Sequence, residues 1–233
     1  DHAAGKKMQL KGADAWVRGI AFSPDGKTML TGGYDGRLLW WPLEGEKPER
    51  TVEAHTGWIM SVAISPGGKQ IATTGNDKLV KIWNFTDGKL LRTLKGHESV
   101  VYNAVFHPQG QHLATSDLKS NILVWDIGPG KLSRKLLAEK MHSYDKTFKA
   151  DIGGARAMQF NSQGTQLAFG GVTNVTNAFA GVGNPAVVII DWKSGKNLMQ
   201  HLAKATFRGV TWGVGLHPSG VVLGGAGGTS GGQ

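Results

Sequence analysis

The sequence predicts an all-β fold assembled from stacked four-stranded units, and three observations predict it. A short turn segment recurs, from Phe22 to Gly26, Ile64 to Gly68, Phe106 to Gly110, Phe160 to Gly164 and Leu216 to Gly220, and Pro24, Pro66 and Pro108 fall 42 residues apart. The same step carries Thr31 to Thr73 to Thr115 and Trp41 to Trp83 to Trp125, so three residue types keep one register over three units. Each period also holds four short runs with strand character, separated by turn residues. A period of about 40 to 45 residues with four strands is the signature of propeller blades.

The second unit shows each element in order. An apolar-alternating run, Trp58 to Ile64, meets a Pro-Gly turn and is followed by Gln70 to Thr74. After a turn at Asn76 and Asp77 come Leu79 to Trp83, a turn at Asp87 and Gly88, and Leu90 to Leu94. These read as four antiparallel strands, a to d, joined by hairpin turns. So small a sheet is apolar on both faces and must stack on its neighbours; radial stacking leaves only short edges, and a ring of blades follows. The units fall at about 14–53, 56–95, 98–138, 153–203 and 207–233, the last one partial.

These residues resemble the WD-repeat family. Ala54-His55 and Gly96-His97 stand where its Gly-His dipeptide falls, and Trp83-Asn84 and Trp125-Asp126 where its Trp-Asp dipeptide falls. The turn style, typified by Ser23 to Lys27, looks like that of bacterial members. The resemblance implies a WD-repeat β-propeller of four complete four-stranded blades with partial terminal blade strands. It weakens toward the C-terminus: Ile190-Asp191 replaces Trp-Asp, and Phe169 and Gly225 replace the strand b threonine. Lys6 to Leu10 aligns with the fourth strand Leu90 to Leu94, so residues 1–12 are expected to be the last strand of a preceding or closing blade. The family commonly has seven blades, so the chain is expected to be an internal segment of a ring, with a five-bladed ring lacking one strand as the alternative.

His55, Thr73, Asp77 and Trp83 together look like the parts of a catalytic triad. The family resemblance implies instead a structural hydrogen-bond network, in which a buried indole N–H needs an acceptor and the threonine supplies it. Only the second unit is expected to be complete, because Ala13 replaces the histidine of the first and Lys119 the aspartate of the third. No catalytic residue is assigned. His107 and His112, the closest histidine pair on one hairpin, lack a carboxylate at ligand spacing, so neither a metal nor a cofactor is expected. With no cysteine, thiolate zinc sites and cysteine nucleophiles are excluded. The run Gly224 to Gly232 lacks the lysine of a phosphate loop and reads as a hairpin loop, and the sequon at Asn174, a pattern that often matches by chance and matters only in a eukaryotic secretory context, carries little weight.

The net charge of +9 would suit an anionic partner. Yet Lys27, Lys69, Lys89, Lys131 and Lys196 are spread over hairpin turns, and no arginine-rich stripe carries interleaved aromatics, so nucleic acid is not the expected partner. No apolar run reaches the roughly 20 residues of a membrane span. The sequence assigns no compartment, and cytoplasm and periplasm both stay open.

In a four-stranded blade the d-to-a and b-to-c connections share one face. The step from Pro108 to Ser162 is 54 residues and that from Ser162 to Pro218 is 56, so two insertions enter, around 139–152 (d to a) and 173–185 (b to c). Both land on that face, where long loops on a rigid scaffold carry function. Tyr144, Phe148 and Phe179 are expected at the rim of a mixed pocket there. By analogy with partner-contacting positions of the family, Trp16, Arg18, Tyr34, Trp58 and Asn76 are expected on the same face over the first two units, although Trp16 and Trp58 also read as blade-packing residues. The function expected is a non-catalytic scaffold that binds a protein or peptide; the alternative is a small-ligand sensor or propeller enzyme with its site in the inserted loops.

Overall fold

The computed structural model describes residues 11–138, 141–177, 182–203 and 208–227. Four sheets of four antiparallel strands follow one another, each in the order a, b, c, d. The first blade is β1 (Val17–Phe22), β2 (Thr28–Gly33), β3 (Arg37–Pro42) and β4 (Arg50–Glu53). The second is β5 (Ile59–Ile64), β6 (Gln70–Gly75), β7 (Val80–Asn84) and β8 (Leu90–Leu94), within one residue of the strands read from the sequence. The third is β9 (Val101–Phe106), β10 (His112–Asp117), β11 (Asn121–Asp126) and β12 (Lys131–Leu137). A separate hairpin, β13 (His142–Asp145) with β14 (Ala150–Gly153), precedes the fourth blade: β15 (Ala155–Phe160), β16 (Gln166–Asn177), β17 (Val182–Asp191) and β18 (Asn197–Leu202). A fifth, two-stranded unit is β19 (Val210–Leu216) with β20 (Val222–Gly227).

Turn chemistry explains the period. Gly26, Gly68, Gly110, Gly164 and Gly220 close the a-to-b turns, all with φ between +68° and +86°, where a side chain is disfavoured. At the b-to-c turn the left-handed residue is Gly36 in the first blade but Lys78 and Ser120 in the next two. Gly36 has no choice, because a Cβ there would meet the His55 carbonyl oxygen at 2.4 Å.

The core lies between blades rather than within them. Leu30, Leu38 and Trp40 of the first blade pack on Ile59, Ile71 and Trp83 of the second. Val80, Ile82 and Leu94 pack on Phe106, Leu113 and Trp125, and Ala114 and Ile122 on Phe160, Leu167 and Phe169. Burying such a side chain contributes about 1.5–3 kcal/mol, and neither blade of a pair can do it alone. The first strands β1, β5, β9, β15 and β19 contact one another in succession, so the a edges form the inner wall.

A second tie between blades went unread in the sequence. Arg50, Arg92 and Arg134, 42 residues apart on the d strands, each reach the turn of the next blade. Arg50 donates to the Thr86 carbonyl (2.7 Å), Arg92 to that of Gly128 (2.6 Å) and Arg134 to that of Lys193 (3.0 Å) and to that of Trp192. The Arg134 guanidinium also lies 4.1 Å from the Trp192 ring centroid, a cation–π contact.

The insertions depart from the expected loops. The first folds as the β13–β14 hairpin, with Tyr144 opposite Asp151 and a turn through Lys149 at φ 49°. The second prolongs β16 and β17 to 12 and 10 residues, with Thr173 paired to Asn184. Val172, Thr173 and Val175 are β-branched and suit an extended ladder, and Asn174, at φ 52°, takes up the register shift beyond Thr173. The glycine run reading as a hairpin loop likewise begins as strand: Gly224 and Gly225 pair with Val214 and Gly213 in β20. The strand expected at Lys6 to Leu10 lies outside the described residues.

Candidate functional site

The four residues suggestive of a triad form a closed chain of hydrogen bonds. His55 Nδ1 lies 2.9 Å from Asp77 Oδ1, His55 Nε2 lies 2.8 Å from Thr73 Oγ1, and Trp83 Nε1 donates to Thr73 Oγ1 at 2.9 Å. A carboxylate only accepts, so Nδ1 carries the proton and Nε2 accepts from the hydroxyl. The hydroxyl proton is thereby committed, and Thr73 is fully buried, so it offers no nucleophile to a substrate.

The third blade corrects the expectation that Lys119 would break its network. Asp117, at the end of β10, takes the aspartate's place: its Oδ2 lies 2.8 Å from His97 Nδ1. His97 Nε2 reaches Thr115 Oγ1 at 2.7 Å, and Trp125 Nε1 donates to the same oxygen at 2.8 Å. The imidazole is reached from two residues earlier, so strict alignment looked at the wrong position. In the first blade Trp41 Nε1 still donates to Thr31 Oγ1 at 2.8 Å, but without a histidine Asp35 turns to Arg37. Arg37 also pairs with Asp14 (2.6 Å), and hydrogen bonds to both acids, Asp35 first, hold the guanidinium above its ordinary value.

Burial pushes the His55 imidazole below its ordinary value of 6.5, with Asp77 opposing and Lys81 reinforcing. For Asp117, burial raises the value, but hydrogen bonds from His97 and Asn121 outweigh it and hold the carboxyl below 3.8. Both groups bind fewer protons folded than unfolded, so unfolding takes up protons and stability falls with acid. The loss begins below about pH 6.5 through His55 and deepens below about pH 4 through Asp117. A thermal midpoint that drops between pH 7.5 and 5.5, less so in His55→Gln, is the expected result; a midpoint that rises would contradict it.

The face of the b-to-c turns presents an aromatic shelf. Tyr34 stacks on Trp58 with centroids 4.5 Å apart and rings 10° from parallel, and Trp16 tilts against Tyr34 at 5.9 Å. Trp16 is 80% and Trp58 47% exposed, so neither is a blade-packing residue. The shelf is fixed by recurring backbone bonds, from the Tyr34 N–H to the Trp16 carbonyl and from the Asn76 N–H to that of Trp58, both 3.0 Å. Asn76 is half-buried beside Gly57, where a Cβ would meet its Oδ1.

Arg18 does not join the shelf. It turns inward to a cavity of about 390 Å³ where the first strands converge, lined also by Met60, Tyr102, Arg156 and Trp212. These five occupy one register position in successive blades, the steps being 42, 42, 54 and 56 residues. Carrying that register through the two insertions would have found the other four, which sequence reasoning missed. Tyr144 and Phe148 stand exposed on the β13–β14 hairpin, which packs on β16, whereas Phe179 lies outside the described residues. His107 and His112 serve packing: His107 Nε2 bonds the Gly164 carbonyl at 2.9 Å, and its ring stacks on Trp192. Among the described residues no three histidine or acidic side chains gather where a metal ion could be held, and no helix is long and apolar enough to cross a membrane.

The model of the WD domain, G-beta repeat, matches the chain three times, at residues 5–42, 46–84 and 88–126. The chain belongs to the WD-repeat family, whose members generally mediate protein–protein interactions and are generally not enzymes. Comparison with curated proteins returns no significant match. All three matched segments end before the fourth blade, where Phe169 and Ile190 replace the polar network.

Proposed function

We propose that this chain is a non-catalytic scaffold that binds a protein or peptide through the face carrying the d-to-a and b-to-c connections. The observation that carries the reading is the exposed shelf of Trp16, Tyr34 and Trp58, held rigid by backbone bonds on a blade framework. Large, preorganised aromatics that need no ordering on binding are the usual hot-spot residues. Asn76 borders the shelf, Arg18 lines the inner cavity two residues along the chain from Trp16, and Tyr144 and Phe148 extend the same face over the fourth blade. The hydroxyl and imidazole groups that resemble catalytic parts are spent on structure.

The test is quantitative capture of a partner by the wild-type chain and by Tyr34→Ala/Trp58→Ala. Truncating hot-spot aromatics costs about 2–4 kcal/mol, so retention should fall at least 30-fold while the thermal midpoint stays close to wild type. Equal retention by the variant would overturn the reading.

A further inference from the structure

Arg18 and Arg156 are unusual among the cations of this chain. The Nε of each is buried without a hydrogen-bond partner, and among the described residues neither guanidinium has an acidic partner. By contrast Arg37, Arg50, Arg92 and Arg134 all spend their donors on carboxylates or carbonyls. Both orphaned groups line the same inner cavity, on opposite sides of the run of a strands from the first blade to the fourth.

Arg156 is also preorganised. Its guanidinium carbon lies 4.8 Å from the Tyr102 ring centroid and 4.7 Å from that of Trp212, aromatic rings supplied by the blades on either side. Such stacking fixes the plane of the fork and leaves its edge available. Asn103 adds a tie, its Nδ2 donating to the Arg156 carbonyl at 3.4 Å. Burial lowers the Arg156 value, with Tyr102 opposing and the nearby Arg18 charge reinforcing, so the two cations feel each other. A buried donor left unpaired is destabilising, and two like charges add to that. A cluster so costly, so placed and so rigid is what a ligand oxyanion would satisfy, because guanidinium forks match carboxylate and phosphate geometry.

We propose that the inner cavity between Arg18 and Arg156 receives an oxyanion, a carboxylate or a phosphate, borne on a side chain of the peptide partner. The inference rests on the protein-binding reading above and names the chemistry of the bound group. A peptide is favoured over a free ion because Trp16 and Trp58 precede Arg18 and Met60 by two residues in the same chain segments, so the shelf continues the site outward. The exposed lysines of the turns, such as Lys27, Lys69 and Lys89, lie elsewhere on the blades and provide the control.

The probes are three fluorescent hexapeptides, of glutamate, of phosphoserine and of glutamine, measured by anisotropy. The expected result is that the two anionic peptides bind at least 10-fold tighter than the glutamine peptide, with the phosphoserine-to-glutamate ratio showing which oxyanion is preferred. Arg18→Gln/Arg156→Gln should remove that difference, whereas Lys27→Gln/Lys69→Gln/Lys89→Gln should keep it. The arginine variant should melt close to wild type, since the two unsatisfied donors and the repulsion it loses offset the loss of the Arg156 contacts with Tyr102 and Trp212. Equal binding of the three peptides, or loss of selectivity in the lysine variant alone, would overturn the proposal. So would tighter binding of a ten-residue thymidine oligonucleotide than of either anionic peptide. If Tyr34→Ala/Trp58→Ala loses partner capture while the arginine variant keeps it along with full peptide selectivity, the oxyanion site fails and the scaffold reading stands; if partner capture survives both variants, the scaffold reading fails with it.

Discussion

Asp117→Ala is expected to destabilise the chain by about 3–5 kcal/mol, the range for removing one partner of a buried charged network. The carboxylate is fully buried. Its Oδ2 accepts from His97 Nδ1, and its Oδ1 accepts from the backbone N–H groups of Lys119 (2.9 Å) and Asn121 (3.0 Å); Asn121 Nδ2 reaches both oxygens. Alanine would leave those donors in a space that water does not enter, and it would also free the imidazole that orients Thr115 under Trp125. The effect would spread through the contact between the second and third blades, because Trp125 packs against residues of both. Lys119→Ala is the matching control: only its backbone N–H serves the network, its side-chain contact with Asp151 is long (3.8 Å) and partly exposed, and its cost should stay within about 0.5 kcal/mol. Urea midpoints of the two variants decide the matter. Near-equal midpoints would mean that the buried carboxylate is not the keystone of the third blade.

That pair of variants also marks where sequence reading stopped. The 42-residue step placed the strands of the second blade almost to the residue, because turn glycines with positive φ and an alternating apolar pattern dictate the same register. It placed Thr73, His55, Asp77 and Trp83 in one constellation for the same reason. It failed at Asp117 because a side chain can enter a network from a neighbouring position on the turn, a choice that alignment cannot see. The inserted segments read as loops because they lengthen the constant step at connections between strands, yet pairing across β13 and β14 and across β16 and β17 supplies backbone bonds that spacing does not reveal. Whether Trp16 and Trp58 faced a neighbouring blade or the outside was equally hidden, since both places suit an aromatic residue. The cavity cluster was concealed differently: Arg18 is visible at once, but Arg156 and Trp212 lie beyond insertions that break the constant step.

Phe169→Thr, which installs the residue that the second and third blades carry at this register position, is expected to cost about 3–5 kcal/mol, as for other large-to-small changes of a buried aromatic. In those blades the threonine hydroxyl stands between an indole N–H and an imidazole. In the fourth blade both partners are missing. Ile190 occupies the tryptophan's place, and His142, the histidine nearest in the chain, bonds Asp151 at 2.7 Å. Phe169 is instead 1% exposed, packed with Met141, Ala155, Met158, Val188 and Ile190. Replacing a donor–acceptor pair by two apolar side chains leaves no polar atom unsatisfied, which is why such a joint change is tolerated where either half alone is not. Threonine would restore one half only: it empties part of the cluster and buries a hydroxyl whose remaining option is a nearby backbone carbonyl. Phe169→Leu keeps the apolar surface and most of the volume, so its cost should be about 1.5 kcal/mol or less. A Phe169→Thr chain as stable as wild type would show that the fourth blade still has an acceptor for that hydroxyl, and that its packing did not replace the polar network of the preceding blades.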